Sequence, residues 1–426
     1  MIGHTTQHKD YFWNTLGVFA QNAISPLLLI AITRINGIND SGLFSFAFSM
    51  AIVFWAFGIW GSRTYQVSDI RLQHPQRSYI TVRLILALFM LLGAVVFVMV
   101  NKYNLSKSEL IILLVMFKAI ESIADSIYGV LQINGRLFIT GKSLLYKAIF
   151  GTILFVAIDL ITKDILLASL GIVLANILLV VFYDLKQAQR TEDIKIKMGS
   201  LSRYVKDAFK IMKTCFPVFV VFFLSILSLN IPRYFIDLYH AEDIGYFGII
   251  AMPITLIVLL MSFVLQPNVV PLSRLYVRQE YRDFSGIIRK IFLITIFVGL
   301  AILLLAFLLG VPVLDLIFGV DFKQYKLALM IIILGGIANA LVAILINVLT
   351  IMRRFKSQFY TLLVTNILLL VSSGLLINRG GLLMGVTLFT LMNLLQILLL
   401  TLVYITILRK DHIQVKANQF TIYRNL

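Results

Sequence analysis

Twelve apolar stretches, each about 20 residues or longer, run through the chain and leave no room between them for a soluble domain. They fall at approximately 11–35, 42–62, 80–100, 109–131, 141–162, 164–184, 214–238, 244–268, 291–311, 325–352, 359–378 and 381–408. A stretch of this length crosses a hydrocarbon core of roughly 30 Å as a helix. In lipid the backbone N–H and C=O groups find partners only within their own helix or a closed barrel. The chain is therefore read as an all-α polytopic membrane protein with twelve transmembrane helices. Its composition agrees: 60% of residues are hydrophobic and only 13% charged, against about 25% in a soluble domain.

The charge pattern orients these spans. With the N-terminus inside, 28 of the 37 Lys and Arg residues fall on one side. Eight lie in or beside the other connections, and the remaining one, Lys118, sits mid-span. Lys and Arg mark the cytoplasmic side of short loops, so both termini are expected inside. The inner loops are 63–79, 132–142, 185–213, 269–290 and 353–358. The outer connections 36–41, 101–108, 163, 239–243, 312–324 and 379–380 are too short for an extracytoplasmic catalytic domain. The net charge of +17 is thus a topology signal, not a nucleic-acid signal.

Other motifs set limits. Cys215 is the only cysteine, so no intramolecular disulfide forms and no Cys/His cluster suggests a metal. No Gly-rich phosphate loop, His-Glu-x-x-His or activated Ser or Cys nucleophile is present, so the chain is read as a non-enzyme without cofactor. The first apolar run has no basic n-region and cleavage site, and is read as a retained helix.

The longest polar segment, 185–213, divides the chain into an N-terminal six-helix bundle (1–184) and a C-terminal one (214–426). Within it Leu201, Tyr204, Val205, Ala208, Phe209 and Met212 recur at helical spacing between lysines. That pattern predicts an amphipathic helix on the inner membrane surface, or else a solvated linker. The halves resemble each other. Thr33-Arg34-Ile35 followed by Gly42-Leu43-Phe44 matches Pro232-Arg233-Tyr234 followed by Gly245-Tyr246-Phe247. Six spans separate the equivalent points, which predicts a parallel pseudo-two-fold repeat.

The fourth span carries the strongest functional signal. Offsets of three and four place Lys118, Glu121, Asp125, Tyr128 and Gln132 on one stripe. Ionisable side chains within a membrane helix face protein or water. Either the stripe lines a hydrophilic cavity, with Glu121 and Asp125 exchanging a coupling ion, or Lys118 and Glu121 only clamp helices together. Arg34 and Arg233, at the outer ends of spans one and seven, are candidates for phosphate recognition, since a guanidinium binds two oxygens at once. Arg83 and Lys147 are further basic groups of the inner half. Asn230, among scattered amides, is a candidate for contacts to sugar hydroxyls. Pro26, Pro217, Pro232 and Pro253 each remove a helical hydrogen bond and are candidate hinges.

The run Asn230-Ile-Pro-Arg-Tyr-Phe-Ile-Asp-Leu-Tyr, closing on Ile244-Gly-Tyr-Phe, resembles the helix 7–8 signature of bacterial polysaccharide transporters. Arg34–Phe44, Gly58–Asp69, Glu121–Gln132, Arg136–Ser143 and Pro271–Tyr276 with Phe284 are similar to the same family. This family flips lipid-linked O-antigen, capsule and exopolysaccharide repeat units. It belongs to the superfamily of multidrug-and-toxin extruders and the lipid II flippase. The resemblance implies two six-helix bundles in a V and alternating access without ATP; the Glu121 and Asp125 stripe adds the expectation of H⁺ or Na⁺ coupling. It implies an undecaprenyl-diphosphate-linked glycan as substrate, with Arg34, Lys118, Arg233 and Asn230 binding it. A monomer in the bacterial cytoplasmic membrane is implied, working beside glycosyltransferases and a polysaccharide polymerase. The lipid II flippase has two further C-terminal helices, which argues against that member. The alternative within this fold is a cation-coupled drug or metabolite antiporter, which favours an acidic cavity; Arg34, Lys118 and Arg233 speak against it.

Overall fold

The computed structural model describes residues 2–69, 73–191 and 201–424, and the side chains of these between 9 and 412. Among the described residues every regular element is helical. Ten helical segments are long and apolar enough to cross a membrane, so the chain is a multi-pass membrane protein.

Contacts divide the chain into two compact units, Met1–Ile226 and Leu227–Leu426. The first contains α1 (Ile2–Ile35), α2 (Ile38–Ile59), α3 (Ser62–Ser68), α4 (Gln76–Asn101), α5 (Leu105–Ile133), α6 (Leu137–Thr162), α7 (Ile165–Leu179) and α8 (Leu185–Gln189). A π-helical turn, Val180–Asp184, joins α7 to α8. The division falls inside α9 (Leu201–Tyr239). The second unit continues with α10 (Ile244–Ile250), α11 (Met252–Leu265), α12 (Val269–Val277), α13 (Tyr281–Leu305), α14 (Val311–Phe318), α15 (Lys326–Ile351) and α16 (Phe355–Arg424).

Helices in lipid gain little from burying apolar area against one another, so close approach of backbones matters. In the first unit α1 packs on α6, and a Cβ placed on Gly17 runs into the Gly141 backbone. In the second unit a core of Leu272, Phe284, Leu345, Val348, Leu349 and Leu400 joins α12, α13, α15 and α16.

Several boundaries differ from the sequence reading. The amphipathic stretch 201–213 is not a separate surface helix: it is the first part of α9 and runs unbroken into the span. Its Tyr204, Ala208 and Ile211 are buried, and Ala208 and Ile211, with Cys215 just beyond, pack with Tyr79, Val82 and Leu86 of α4. Residues 192–200 of the linker lie outside the described residues. The eighth span is broken: α10 ends before Ala251, Pro253 opens α11, and Pro267 lies in a 3₁₀ turn before α12. A proline supplies no N–H, so both sit where a helix starts or changes type. Pro26, Pro217 and Pro232 lie within helices that continue through them. The outer connection expected at 312–324 is helical through Phe318.

α5 is long enough to span but carries Lys118, Glu121 and Asp125 in its middle, and is not among the ten apolar segments. The segment Phe355–His412 is far longer than one span, and Gly381 interrupts it with φ 54°, ψ −148°.

Candidate functional site

The polar residues of the first unit gather around α5, which packs between α2, α4 and α7. α5 begins where Asn104 accepts a 3.0 Å hydrogen bond from the Lys107 N–H, an N-cap that satisfies one orphan donor. From there the 3.6-residue period carries the stripe along one face past three neighbours. It makes three separate polar groups.

Nearest the start of α5, the Lys118 ammonium lies 2.7 Å from Glu121. The Gln21 amide of α1 donates to the other Glu121 oxygen at 3.3 Å. The ammonium also sits 4.9 Å from the Phe48 ring centre and 5.0 Å from that of Phe117. The sequence-predicted pair therefore exists, inside an aromatic collar that favours the cation.

One turn further along α5, Asp125 accepts from two arginines. Arg63 Nη1 donates at 2.7 Å and Arg83 Nη2 at 2.6 Å, one to each carboxylate oxygen. Arg83 donates in addition to the Gly58 carbonyl, and Arg63 Nη2 reaches Gln132 at 3.1 Å. Arg83 is 0% exposed, Asp125 17% and Arg63 28%. Two guanidiniums and one carboxylate leave one positive charge over, and the more exposed of the two guanidiniums is that of Arg63.

Arg63 owes its position to a sharp turn. Trp60 and Gly61 both adopt positive φ, 47° and 66°, ending α2 and redirecting the chain into α3. The cost of that conformation in a tryptophan is offset by its contacts. The indole N–H donates to the Met212 carbonyl at 2.8 Å, and the ring stacks on Phe219 at 3.8 Å.

Beside Tyr128, toward the end of α5, Lys147 of α6 lies 2.6 Å from Asp184, in the π-turn, and 2.7 Å from the Tyr128 hydroxyl. Tyr128 also shares a hydrogen bond of 2.8 Å with Ser143. All four are buried, and Asp184 Oδ1 has no hydrogen-bond partner. Single-turn π segments recur at functional sites, and this one turns Asp184 onto the stripe.

Arg34, on the last turn of α1, is exposed. In the second unit Arg233 is largely covered, its guanidinium 5.1 Å from the Phe247 ring centre. Its Nε is buried without a hydrogen-bond partner, and no described carboxylate lies within ion-pair distance. Asn230, one turn earlier on α9, is buried. Nearby, Gln396 donates to Ser228 at 3.1 Å and to Thr365 at 2.9 Å, while Ser228 donates to Asn366 at 3.2 Å.

The structure thus brings Lys118, Glu121, Asp125, Tyr128 and Gln132 onto one face, as the spacing requires. It places Arg83 and Lys147 against that face. Sequence reasoning missed Arg63, assigned to a loop, and Asp184, assigned to the end of a span. The signal available for Asp184 was a charge next to an apolar run; for Arg63 it was the Gly61 turn. Among the described residues no group of three or more His, Cys, Asp or Glu side chains is arranged to hold a metal.

No protein-family model matches the chain. It is 25% identical over 325 residues to the capsular polysaccharide biosynthesis protein CapF of Staphylococcus aureus, covering 75% of this chain and 80% of that protein. Its fold is shared with solved transporters. The lipid II flippase MurJ in an inward closed conformation superposes with TM-score 0.67 at 12% identity, over 94% of this chain and 87% of that one. An inward-facing multidrug transporter of the MATE family, of the MOP superfamily, gives 0.66 at 11% identity, over 91% and 96%. The MATE multidrug transporter DinF-BH gives 0.66 at 14% identity, over 93% and 94%. The likeness read in the sequence to polysaccharide transporters and their superfamily agrees with these findings.

Proposed function

We propose that the chain is a flippase, not an enzyme, which moves undecaprenyl-diphosphate-linked oligosaccharide repeat units from the inner to the outer leaflet of a bacterial cytoplasmic membrane. Twelve spans in two six-helix bundles carry it: the ten apolar segments, α5, and a division of α16 at Gly381. Both termini lie inside. The motion is alternating access, driven by an H⁺ or Na⁺ gradient.

The observation that carries this reading is the surplus of guanidinium over carboxylate. Arg63 and Arg83 outnumber Asp125, and Arg233 has no carboxylate within ion-pair distance among the described residues. An unpaired ionised group in hydrocarbon costs tens of kcal/mol by the Born estimate, so an anionic headgroup needs such partners to cross. A drug cation is repelled by the same charges. The name of the CapF relative and the fold shared with a lipid II flippase support the class of substrate. In the second unit Arg233 is assigned to the diphosphate and Asn230 to the sugar hydroxyls; in the first unit Arg34 and Lys118 are the candidates for the same headgroup. Asp125 is held by two guanidiniums, whereas Glu121 has one ammonium and a longer bond from a neutral amide, which makes Glu121 the better placed carboxylate for ion coupling.

The test is headgroup translocation of a lipid-linked oligosaccharide in proteoliposomes under imposed proton or sodium gradients. Movement of the glycolipid that stops in Arg233→Ala supports the reading. Transport of a cationic dye with no glycolipid movement would overturn it. Gradient-driven rates unchanged in Glu121→Gln would reduce the Lys118–Glu121 pair to a helix clamp.

A further inference from the structure

The second unit holds a cavity of about 310 Å³ between α13, α15 and α16. Ser285, Ile288, Arg289 and Phe292 line it from α13, at offsets of three, four and seven, so they form one stripe. Leu345 of α15 and Tyr404 of α16 face them. Ile288, Phe292 and Leu345 make the deep part apolar, while Arg289, Ser285 and Tyr404 gather toward one end.

That end is chemically unfinished. Arg289 has no carboxylate within ion-pair distance and no hydrogen bond among the described residues. Ser285 and Tyr404 share one hydrogen bond of 2.9 Å, which uses one of their two hydroxyl protons and leaves the other to donate. The same end of α13 carries Arg282 and Lys290, with Arg278 just before it, so the positive-inside rule sets it in the inner leaflet. The outward face of α13 at this level is apolar and exposed, with Leu293, Ile296 and Phe297.

We propose that this groove binds one anionic phospholipid of the inner leaflet. Its phosphate takes the Arg289 guanidinium and the spare hydroxyl proton, and an acyl chain lies along Ile288, Phe292 and Leu345. A ligand must match both ends. A soluble phosphate leaves the apolar floor empty, and a cationic amphiphile meets an arginine. Basic pockets between helices on the cytoplasmic side are suited to lipid headgroups. The site is independent of the identity of the transported glycan.

Full-length protein is reconstituted in nanodiscs of equal phosphatidylglycerol and phosphatidylcholine, extracted gently, and the lipids retained are read by native mass spectrometry. The wild type is expected to retain phosphatidylglycerol preferentially. Arg289→Gln should lower that preference about fivefold, the worth of one basic residue near an anionic surface. Arg289 is exposed, so the variant folds, and Arg289→Lys should keep part of the preference. Arg282→Gln, a basic residue outside the groove, should leave it unchanged. An equal preference in Arg289→Gln, or an equal loss in Arg282→Gln, overturns the site in favour of diffuse attraction. Displacement of phosphatidylglycerol by added undecaprenyl phosphate overturns it in favour of the polyprenyl carrier.

Discussion

Arg83, with no exposed surface, donates a 2.6 Å hydrogen bond to Asp125 from a helix preceding it by 42 residues. Breaking a buried pair by removing one partner strands the other charge and costs about 3–5 kcal/mol. Arg83→Met and Asp125→Asn are each expected to lower the melting temperature of the detergent-purified protein strongly. Arg63→Gln, on the exposed side, should melt near the wild type yet reduce glycolipid transport. Equal stability losses at Arg63 and Arg83 would contradict this division of labour.

Lys147 and Asp184 form the second buried pair. Replacing both partners of such a pair with apolar groups is often near neutral. The double variant Lys147→Met/Asp184→Leu should therefore melt above the sum of the single losses. A coupling energy on the order of 0.5–3 kcal/mol is expected from a double-mutant cycle. Additive losses would mean that the 2.6 Å contact contributes nothing to stability.

Arg233 offers a planar fork that lysine lacks. Arg233→Ala is expected to cut transport by at least about tenfold, equivalent to ~1.4 kcal/mol. Arg233→Lys should recover part of the rate. Protein level, measured on the same membranes, should not change. Full rescue by lysine would show that charge alone suffices.

The Gly17–Gly141 approach brings two helix backbones together, and a Cβ at either position meets main-chain atoms that cannot rotate away. Gly17→Ala and Gly141→Ala are expected to destabilise by about 1–3 kcal/mol, the usual cost of overpacking. Thermal melts that match the wild type would refute the close packing of α1 on α6.

Both termini and residue 195 are expected inside, from the division of the 37 basic residues. On a Cys215→Ser background, Lys195→Cys should react with an impermeant thiol reagent only after the membrane is opened. Labelling of intact cells would invert the orientation.

Much of this was legible without coordinates. Apolar length placed the spans, and offsets of three and four put Lys118, Glu121 and Asp125 on one face. Those are local properties of a helix. The partners of Asp125 were not legible, because Arg63 arrives by a turn at Trp60 and Gly61 that depends on Phe219 and Met212, far along the chain. The stretch 201–213 has the same amphipathic pattern whether its apolar side meets lipid or α4, so periodicity alone did not distinguish them. Asp184 was hidden because a π turn shifts the register that a plain helix would keep.

The Arg83–Asp125 contact also has a consequence for biogenesis. Arg83 enters the membrane on α4, and its carboxylate partner is not yet made. At roughly 5–20 residues per second, the 42 intervening residues take on the order of 2–8 s to synthesise. An arginine at the centre of an inserting helix costs about 2.5–3.5 kcal/mol on translocon scales, and Arg83, the eighth residue of α4, costs less because it lies toward one end. For those seconds α4 is a helix that the bilayer accepts reluctantly. Until α5 arrives, the Arg83 guanidinium is expected to snorkel toward the nearer end of α4. Release of α4 together with α5 is the expected consequence, and truncating the nascent chain before residue 125 should leave α4 less stably inserted.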